Sequence, residues 1–309
     1  MSAARKPLVS IGLPVRNGER YVGDAVRSVL EQEYDRLDLV IYDNASTDGT
    51  EEICRQFAGS DPRIHYHRQR ENIGLVPNFN AVLRLARGTY VKWMGDDDWL
   101  TPRYVSRCVE VLDDDAALIL VTTQQAHVHP DGAVESAGYD GTRMRSDRPV
   151  ERFAEMLRLL TESHLLLDPL YGMMRRDPVR RLPRPVMLFE DEIFAARLAL
   201  AGSFGHLREV LSYRRFEPFQ RLPATARRLG VPPWQAKVAT TLQCRELLAA
   251  VREADLDPDE RREARAAVAR MFVRRKRVTT THRTRKLAGL VSHAVARPPG
   301  PASMAPKAH

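Results

Sequence analysis

The chain of 309 residues is poor in cysteine, in aromatic residues and in long apolar runs. Its three cysteines, Cys54, Cys108 and Cys244, are scattered and odd in number. They give neither a disulfide framework nor metal-ligand spacing, and they favour a reducing, cytoplasmic location. The apolar run at 116–121 is as long as a strand and too short to cross a bilayer. The N-terminal apolar run stops at Pro14, so no signal peptide is expected.

Two glycine-rich nucleotide-binding motifs are also missing. No G-x-G-x-x-G follows the first predicted strand, and no Walker-type lysine loop is present. The turn after that strand reads PVRNG, at residues 14–18. A diphosphate therefore cannot be held as in a dinucleotide-binding fold, and a metal ion would have to offset its charge.

Acidic residues are outnumbered, which gives a net charge of +8 with much of the excess in residues 270–286. Such a run suits an anionic lipid surface, an anionic substrate or nucleic acid, or it is a solubilising helix face and tail. Aromatic residues do not interleave with these cations, so nucleic acid is not an expected partner.

Strand-like and helix-like segments alternate through the first half of the chain. Apolar runs predict strands at 8–13, 39–42, 64–67 and 89–94, and helical spacing predicts helices at 19–32, 51–57 and 78–86. Asp48 and Glu51 predict a capping box for the second helix. Alternation of this kind forms βαβ units, so we predict an α/β fold with a mainly parallel sheet flanked by helices.

The pattern changes near residue 150. Helices are predicted at 150–160, 189–201 (amphipathic), 234–254 and 258–276, and strands at 170–174 and 210–215. We predict an α/β domain over residues 1–217 and a helical C-terminal region over 218–293. Residues 294–309 are rich in Pro, Ala and Gly and are expected to be disordered.

Three consecutive carboxylates, Asp96, Asp97 and Asp98, directly follow the strand predicted at 89–94. Like charges at one strand end are costly unless a cation such as Mg²⁺ or Mn²⁺ binds them. The alternative is a solvated acidic turn before the helix that begins near Pro102. Ligands collect at the carboxyl ends of parallel strands, where residues 14–17, Asp43 and the acidic triplet are all predicted.

Four motifs in order resemble those of the GT-A fold glycosyltransferases of family 2. They are SIGLPVRNGE (10–19), VIYDNASTDGT (40–50), ENIG (71–74) and WMGDDDWL (93–100). The resemblance covers roughly residues 7–217. It implies a GT-A, Rossmann-like fold and an inverting transfer of a sugar from a nucleoside diphosphate donor, usually with Mg²⁺ or Mn²⁺.

The resemblance also implies roles for single residues. It places Pro14, Val15, Arg16 and Glu19 at the nucleotide end of the site, and Asp43 against the base or ribose. In the D-x-D-D pattern of the family, the last two aspartates correspond to Asp97 and Asp98. We assign them to the metal, with Asp97 as the main ligand and Asp96 near the ribose and diphosphate.

That register puts Gly95 where the family often has its first aspartate. A second register makes Asp96 and Asp98 the D-x-D pair, and the sequence leaves both registers open.

The segment FEDE at 189–192 resembles the E-D motif of the family. This implies that Asp191 is the general base, with Glu190 as a second candidate that positions the acceptor. The alternative is a pair of first-turn carboxylates that stabilise a helix dipole. Arg214 and Arg215 stand where the family carries a basic, His-containing patch, so they are candidate diphosphate contacts, although the histidine is missing.

The sequence therefore predicts a metal-dependent glycosyltransferase, with a UDP-sugar favoured as donor and a hydroxyl on a glycan, lipid-linked or small-molecule acceptor. A cytoplasmic location is expected, with peripheral membrane contact through the basic C-terminal region and a homodimer left open. The alternatives are a metal-dependent nucleotidyltransferase, which would release pyrophosphate, and a non-enzymatic basic protein that binds nucleic acid.

Overall fold

The computed structural model describes residues 6–162, 167–216 and 221–295, with side chains described as far as residue 277. Within these residues the strands are β1 (Val9–Val15), β2 (Leu37–Asp43), β3 (Ile64–Arg68), β4 (Tyr90–Trp93), β5 (Trp99–Leu100), β6 (Leu118–Val128), β7 (Val134–Glu135), β8 (Met173–Arg175) and β9 (Ser203–Arg215). The helices are α1 (Val22–Leu30), α2 (Thr50–Ser60), α3 (Leu75–Leu85), α4 (Tyr104–Asp114), α5 (Pro149–Glu162), α6 (Arg176–Val179), α7 (Glu190–Ala201), α8 (Leu222–Leu229), α9 (Gln235–Glu253) and α10 (Pro258–Val295).

The strands form one mixed sheet in the order β3-β2-β1-β4-β8-β6-β9-β5, with β7 beside β6. The first four strands in that order are mutually parallel. β8 runs antiparallel to both β4 and β6, while β6 and β9 are parallel to each other. The predicted parallel sheet is thus confirmed for the first half of the chain.

Helices cover both faces of the sheet. Successive side chains of a strand point to opposite faces, so each strand contributes residues to both layers. On β4, Val91 and Trp93 are buried together with residues of α3, α5 and α7. Tyr90 and Met94 lie on the other face, in a cluster with residues of α1, α2 and α4. At Gly12 a Cβ atom would come within 2.0 Å of Val82 Cγ1, so the close packing of α3 on β1 requires glycine.

The C-terminal helices share a hydrophobic core with the α/β part. Phe153 of α5, Ala196 of α7, Leu247 of α9 and Val268 of α10 are buried in one cluster. These helices pack directly on α5 and α7. The predicted division at residue 217 stays a prediction. Residues 294 and 295 belong to α10, and the rest of the predicted disordered tail lies outside the described residues. In the described part of the chain, no helix is both long enough and apolar enough to cross a membrane.

Two local predictions are wrong. Asp48 accepts hydrogen bonds from Thr50 and from Glu19 N, and Glu51 turns to the arginines Arg55 and Arg68, so no capping box forms. Helix α7 is not amphipathic, because the sheet packs on one side of it and α5 and α9 on another. Both differences come from tertiary partners that local periodicity cannot reveal.

Candidate active site

A cleft of about 890 Å³ lies at the carboxyl ends of β1, β2 and β4. The predicted site residues that line it are Pro14, Val15, Arg16, Asp96, Asp97, Asp98, Arg214 and Arg215. Glu19, Asp43, Glu190 and Asp191 are not in its lining. Its volume is within the range of small-molecule sites.

The loop after β1 is tied to the loop after β2 by a set of hydrogen bonds. Asn17 N donates to Ser46 Oγ over 3.0 Å, Asn17 Oδ1 accepts from Thr47 N over 2.9 Å, and Gly18 N donates to Thr50 Oγ1 over 2.9 Å. Asn17 and Ala45 are held at φ of 56° and 55°, a region that non-glycine residues seldom occupy. These hydrogen bonds hold in place the wall of the cleft that Pro14, Val15 and Arg16 form.

Glu19 belongs to the same hydrogen-bonded loops. Its Oε2 accepts from Gly49 N over 3.0 Å, and its own N–H donates to Asp48. The structure therefore gives Glu19 a role in holding the loops, and its predicted place at the nucleotide stays a prediction.

Asp43 is fully buried below the cleft. It accepts hydrogen bonds from Ser46 N, Tyr66 Oη and Arg68 Nη1 at 2.7–2.8 Å. Burial alone would raise the pKa of Asp43, but these donors together hold it below the ordinary value. The carboxylate is held by these internal partners, and the direct contact with a base or ribose that the sequence predicted stays a prediction.

Two asparagines of the cleft had no role in the sequence-based prediction. Asn44 Nδ2 donates to Asn72 Oδ1 over 2.8 Å, and Asn44 Oδ1 accepts from Ile73 N over 2.8 Å. Both asparagines line the cleft. The signal was present in the DNAS and ENIG motifs, but only the tertiary structure shows that these two motifs bind each other.

The acidic triplet divides into three different environments. Asp96 Oδ2 lies 2.2 Å from the place of a Cβ atom on Gly18, so Asp96 is pressed against the loop after β1. Asp97 is partly exposed in the cleft wall. Asp98 is buried, and its Oδ2 accepts from Gly95 N over 3.3 Å and lies 3.5 Å from Arg214 Nε. Asp98 also lines the cleft, and its predicted role as a second metal ligand stays a prediction.

Gly95 has a structural reason to lack a side chain. A Cβ atom there would come within 2.9 Å of both Asp97 Oδ1 and Asp98 Oδ2. The triplet folds back over this residue, which accounts for glycine at the position where an aspartate was expected.

Two cations, the buried Lys92 and the partly buried Arg214, compensate the charge of Asp98. Lys92 is a buried residue of β4. Burial lowers its pKa to about 8, and the negative charge of Asp98 acts in the opposite direction. Arg214 Nη1 donates to Asp168 over 2.7 Å, and its guanidinium lies 4.0 Å from the ring centre of Tyr171. Burial raises the pKa of Asp98 to about 6, against the effect of Arg214. No motif singled out Lys92, although a lysine is an unusual residue within a central strand.

The N-terminus of α7 is fixed by a buried ion pair between Arg184 and Glu190. Arg184 Nη2 lies 3.0 Å from Glu190 Oε1, and a second contact joins Nε to Oε2. Both side chains are almost fully buried, and the guanidinium also packs on the ring of Phe79 at 4.6 Å. Phe189, just before the helix, has φ of 63°. The Glu190 carboxylate is thus engaged by Arg184 at the start of α7, and its predicted role as the second candidate base stays a prediction.

Asp191 follows directly and has a different environment. Its side chain is exposed, and Oδ1 accepts from Glu192 N over 2.9 Å. The protein is nevertheless crowded around it, and the resulting desolvation raises the pKa of Asp191, with a smaller contribution from Asp168. Tyr171 of the cleft lining packs in one hydrophobic cluster with Phe194 of α7, so α7, which carries Asp191 in its first turn, lies beside the cleft.

Arg184→Met is expected to destabilise the protein by about 3–5 kcal/mol, because it leaves the Glu190 carboxylate buried without its partner. The free energy of unfolding from urea titration measures the effect. Arg180→Met is a matched control, because Arg180 is exposed on the same segment. A loss below about 1 kcal/mol, as for a surface pair, would contradict the assigned role.

Asp96 and Asp97 are the carboxylates of the triplet that are partly exposed in the cleft wall. Among residues 6–162, 167–216 and 221–277, no group of three or more His, Cys, Asp or Glu side chains forms a complete metal cage. Mg²⁺ is commonly bound by one or two carboxylates, with substrate phosphates and water as its other ligands. The oxygen donors at this cleft fit a site of that kind.

Part of the chain matches the model of a known protein family. The model of the family described as glycosyl transferase family 2 matches residues 10–182. The hyaluronan synthase of Pasteurella multocida is 34% identical over 136 residues, which are 44% of this chain and 14% of that protein. A TuaG protein of Bacillus subtilis, described as a putative teichuronic acid biosynthesis glycosyltransferase, is 41% identical over 93 residues, 30% of this chain and 37% of that protein. The chain thus corresponds to well under half the length of each of these relatives.

Solved structures share the fold. Residues 1–349 of S. aureus TarS in complex with UDP align with a TM-score of 0.63 and 16% identity, over 85% of this chain and 70% of that chain. The mannosyltransferase PcManGT from Pyrobaculum calidifontis, in complex with GDP-Man and Mn²⁺, aligns with a TM-score of 0.54 and 18% identity over 95% and 82%. The GT-A fold predicted from the sequence is confirmed by these likenesses. With more than half of its length matched by the family model, the chain belongs to glycosyl transferase family 2.

Proposed function

We propose that the protein transfers a sugar from a nucleoside diphosphate sugar, with a UDP-sugar favoured, to a hydroxyl of an acceptor with inversion at the anomeric carbon. The observation that carries the proposal is the cleft at the carboxyl ends of β1, β2 and β4, with Asp96 and Asp97 in its wall. TarS was solved with UDP-GlcNAc and PcManGT with GDP-Man, which supports a donor of this class. The match covers only part of the relatives, so neither sugar nor acceptor follows from their names.

Asp97 is the residue proposed to hold the Mg²⁺ or Mn²⁺ ion, with Asp96 beside it toward the loop after β1. When bound, the ion would offset the negative charge of the donor diphosphate and of the leaving nucleotide. Asp98, turned inward to Gly95 N and Arg214, is proposed to fix the shape of the loop. Pro14, Val15 and Arg16 are proposed to receive the nucleotide.

Asp191 is proposed to accept the proton of the acceptor hydroxyl. As the acceptor oxygen forms its bond to the anomeric carbon, the bond from that carbon to the diphosphate oxygen breaks on the opposite side. The hydroxyl proton moves to a carboxylate oxygen of Asp191, and the leaving diphosphate keeps the bonding electrons. A raised pKa brings the base closer to the operating pH, where general-base assistance is most effective.

Arg214 and Arg215 are proposed to contact the leaving diphosphate from the cleft wall. Arg214 already holds Asp168, and Arg215 Nη2 lies 3.7 Å from Asp24 Oδ2. A guanidinium has five N–H donors, so each arginine can keep its protein partner and still donate to a phosphate.

The basic run in α10 divides between internal and external roles. Arg275 is largely buried, and its Nη2 lies 2.6 Å from Glu192 Oε2. Arg270 and Arg274 are exposed, and these are the residues proposed to meet an anionic membrane. The nucleotidyltransferase and nucleic-acid-binding alternatives gain no support from the family to which the chain belongs.

A test of the donor and metal assignments follows UDP release from UDP-sugars by chromatography. With Mn²⁺ present we expect UDP and a transferred or hydrolysed sugar, and chelation by EDTA should abolish the reaction until excess Mn²⁺ restores it. The Asp114→Ala variant, changed at an exposed residue of α4, is the control for general effects of substitution. Sugar 1-phosphate as product, which transfer of the nucleotidyl group would release, or full activity in EDTA, would overturn the proposal.

A further inference from the structure

Helix α8 brings two arginines to the cleft. Its residues Ala226 and Leu229 are buried against Val76 of α3 and Leu188. Arg227 and Arg228, which lie between these two anchors in the sequence, are exposed and line the cleft. They lie beyond residues 10–182, so the family match gives them no role.

Helix α8 lies next to the start of α7. Leu188 and Phe189, the two residues before α7, belong to the same apolar cluster as α8. The charge of Arg228 also acts on Glu190, lowering its pKa slightly against the larger effect of burial. The arginines of α8 therefore lie at the end of the cleft next to the start of α7, where the proposed base Asp191 is found.

Arginines outnumber aspartates in the lining of the cleft. The cationic residues of its lining are Arg16, Arg20, Arg214, Arg215, Arg227 and Arg228, and the anionic ones are Asp96, Asp97 and Asp98. Arg214 and Arg215 each have a carboxylate partner outside the lining. A donor diphosphate with a divalent cation adds almost no net charge, so the bound donor leaves the balance of charge in this lining nearly unchanged.

The ordinary role of arginines in the last turn of a helix is to stabilise the helix dipole. Gly230, at φ of 69°, closes α8 after that turn, as is common at helix C-termini. This role explains basic residues at 227 and 228, but an arginine on any side of the last turn would fulfil it. Arg227 and Arg228 in addition line the cleft.

We propose that Arg227 and Arg228 recognise an anionic group, a phosphate or a carboxylate, that the acceptor carries close to its reacting hydroxyl. This inference rests on the proposed sugar transfer, because it needs an acceptor beside Asp191. The guanidinium fork matches both oxyanions through paired N–H donors, which an uncharged side chain cannot replace.

The test measures binding of three probes to the full chain saturated with UDP and Mn²⁺, by calorimetry. Methyl glucoside is the neutral probe, glucuronic acid the carboxylate probe and glucose 6-phosphate the phosphate probe. We expect at least one charged probe to bind about tenfold more tightly than methyl glucoside, and Arg227→Gln with Arg228→Gln to remove that preference. The tighter of the two charged probes identifies the anion. The affinity for UDP should stay within about twofold.

The matched control is Arg252→Gln with Arg265→Gln, which removes two exposed arginines of α9 and α10 outside the cleft lining. This control should keep the preference. Equal binding of the three probes to the wild type, or a preference that survives replacement of Arg227 and Arg228, would overturn the inference. A loss of UDP affinity in that variant would also overturn it, by assigning the arginines to the donor diphosphate. If the wild type binds no UDP, the donor assignment itself fails, and the inference fails with it.

Discussion

Asp191→Asn is expected to lower kcat for sugar transfer about 10²- to 10⁴-fold, because the amide cannot accept the proton of the acceptor hydroxyl. Donor binding should be almost unchanged, since Asp191 is not in the cleft lining that receives the nucleotide. Single-turnover transfer measures the chemical step, and calorimetry with UDP and Mn²⁺ measures the binding.

Two further variants serve as comparisons for Asp191→Asn. Asp255→Asn changes an exposed carboxylate on the far segment between α9 and α10 and should keep full activity. Glu190→Gln should lose stability as well as activity, because it disrupts the buried pair with Arg184. Full transfer activity in Asp191→Asn would refute the role of the base.

The pH dependence follows from the same carboxylate. Desolvation raises the pKa of Asp191 from its usual value of 3.8, so the ionised form is lost at a higher pH than for an exposed aspartate. The reaction needs the ionised form, and the rate should therefore be full above the raised pKa and fall as the pH drops through it. The profile of kcat/KM against pH reports this limb for the free enzyme.

Asp97→Ala is expected to abolish most of the metal-dependent activity. Loss of the main carboxylate ligand removes several kcal/mol of charge stabilisation, which corresponds to about 10³-fold in rate. Titration of Mn²⁺ in the presence of UDP should show weaker binding, while the melting temperature should change little because Asp97 is partly exposed.

The neighbouring aspartates provide the comparison that separates the two registers. Asp96→Ala should weaken UDP binding more moderately. Asp98→Ala should lower stability, because it leaves Arg214 and Lys92 without the buried carboxylate that offsets their charges. If Asp98→Ala weakens Mn²⁺ binding as strongly as Asp97→Ala and leaves stability intact, the register with Asp96 and Asp98 as the pair is the correct one.

Most of the first half of the fold was predictable because its elements are locally encoded. The apolar runs that became β1, β2, β3 and β4 are bounded by polar turns, and the helices between them show a clear 3.6-residue period. The pairing of the two-residue strand β5 with β9 joins residues more than 100 positions apart, through Trp99 and Tyr213. No local pattern contains a pairing of that kind, so it could not be predicted.

The candidate site was predictable in part for the same reason. Parallel strands place their carboxyl ends together, so the motif that contains Arg16 and the triplet that contains Asp97 had to meet at one edge. What each side chain does there depends on burial and on partners. Asp43 and Glu190 match the family motifs, yet the structure commits both to internal ion pairs or hydrogen bonds.

By itself, the sequence determined the class of fold, the edge of the sheet where the site forms and the residue types available for metal and proton chemistry. These properties depend on periodicity and on the order of motifs, which are local. Only the tertiary structure decided that Asp98 turns inward to Arg214, that Lys92 lies buried near it, and that α8 brings Arg227 and Arg228 to the cleft. Burial and charge pairing between distant segments set these outcomes, because they fix which side chains lose water and which remain open to a substrate.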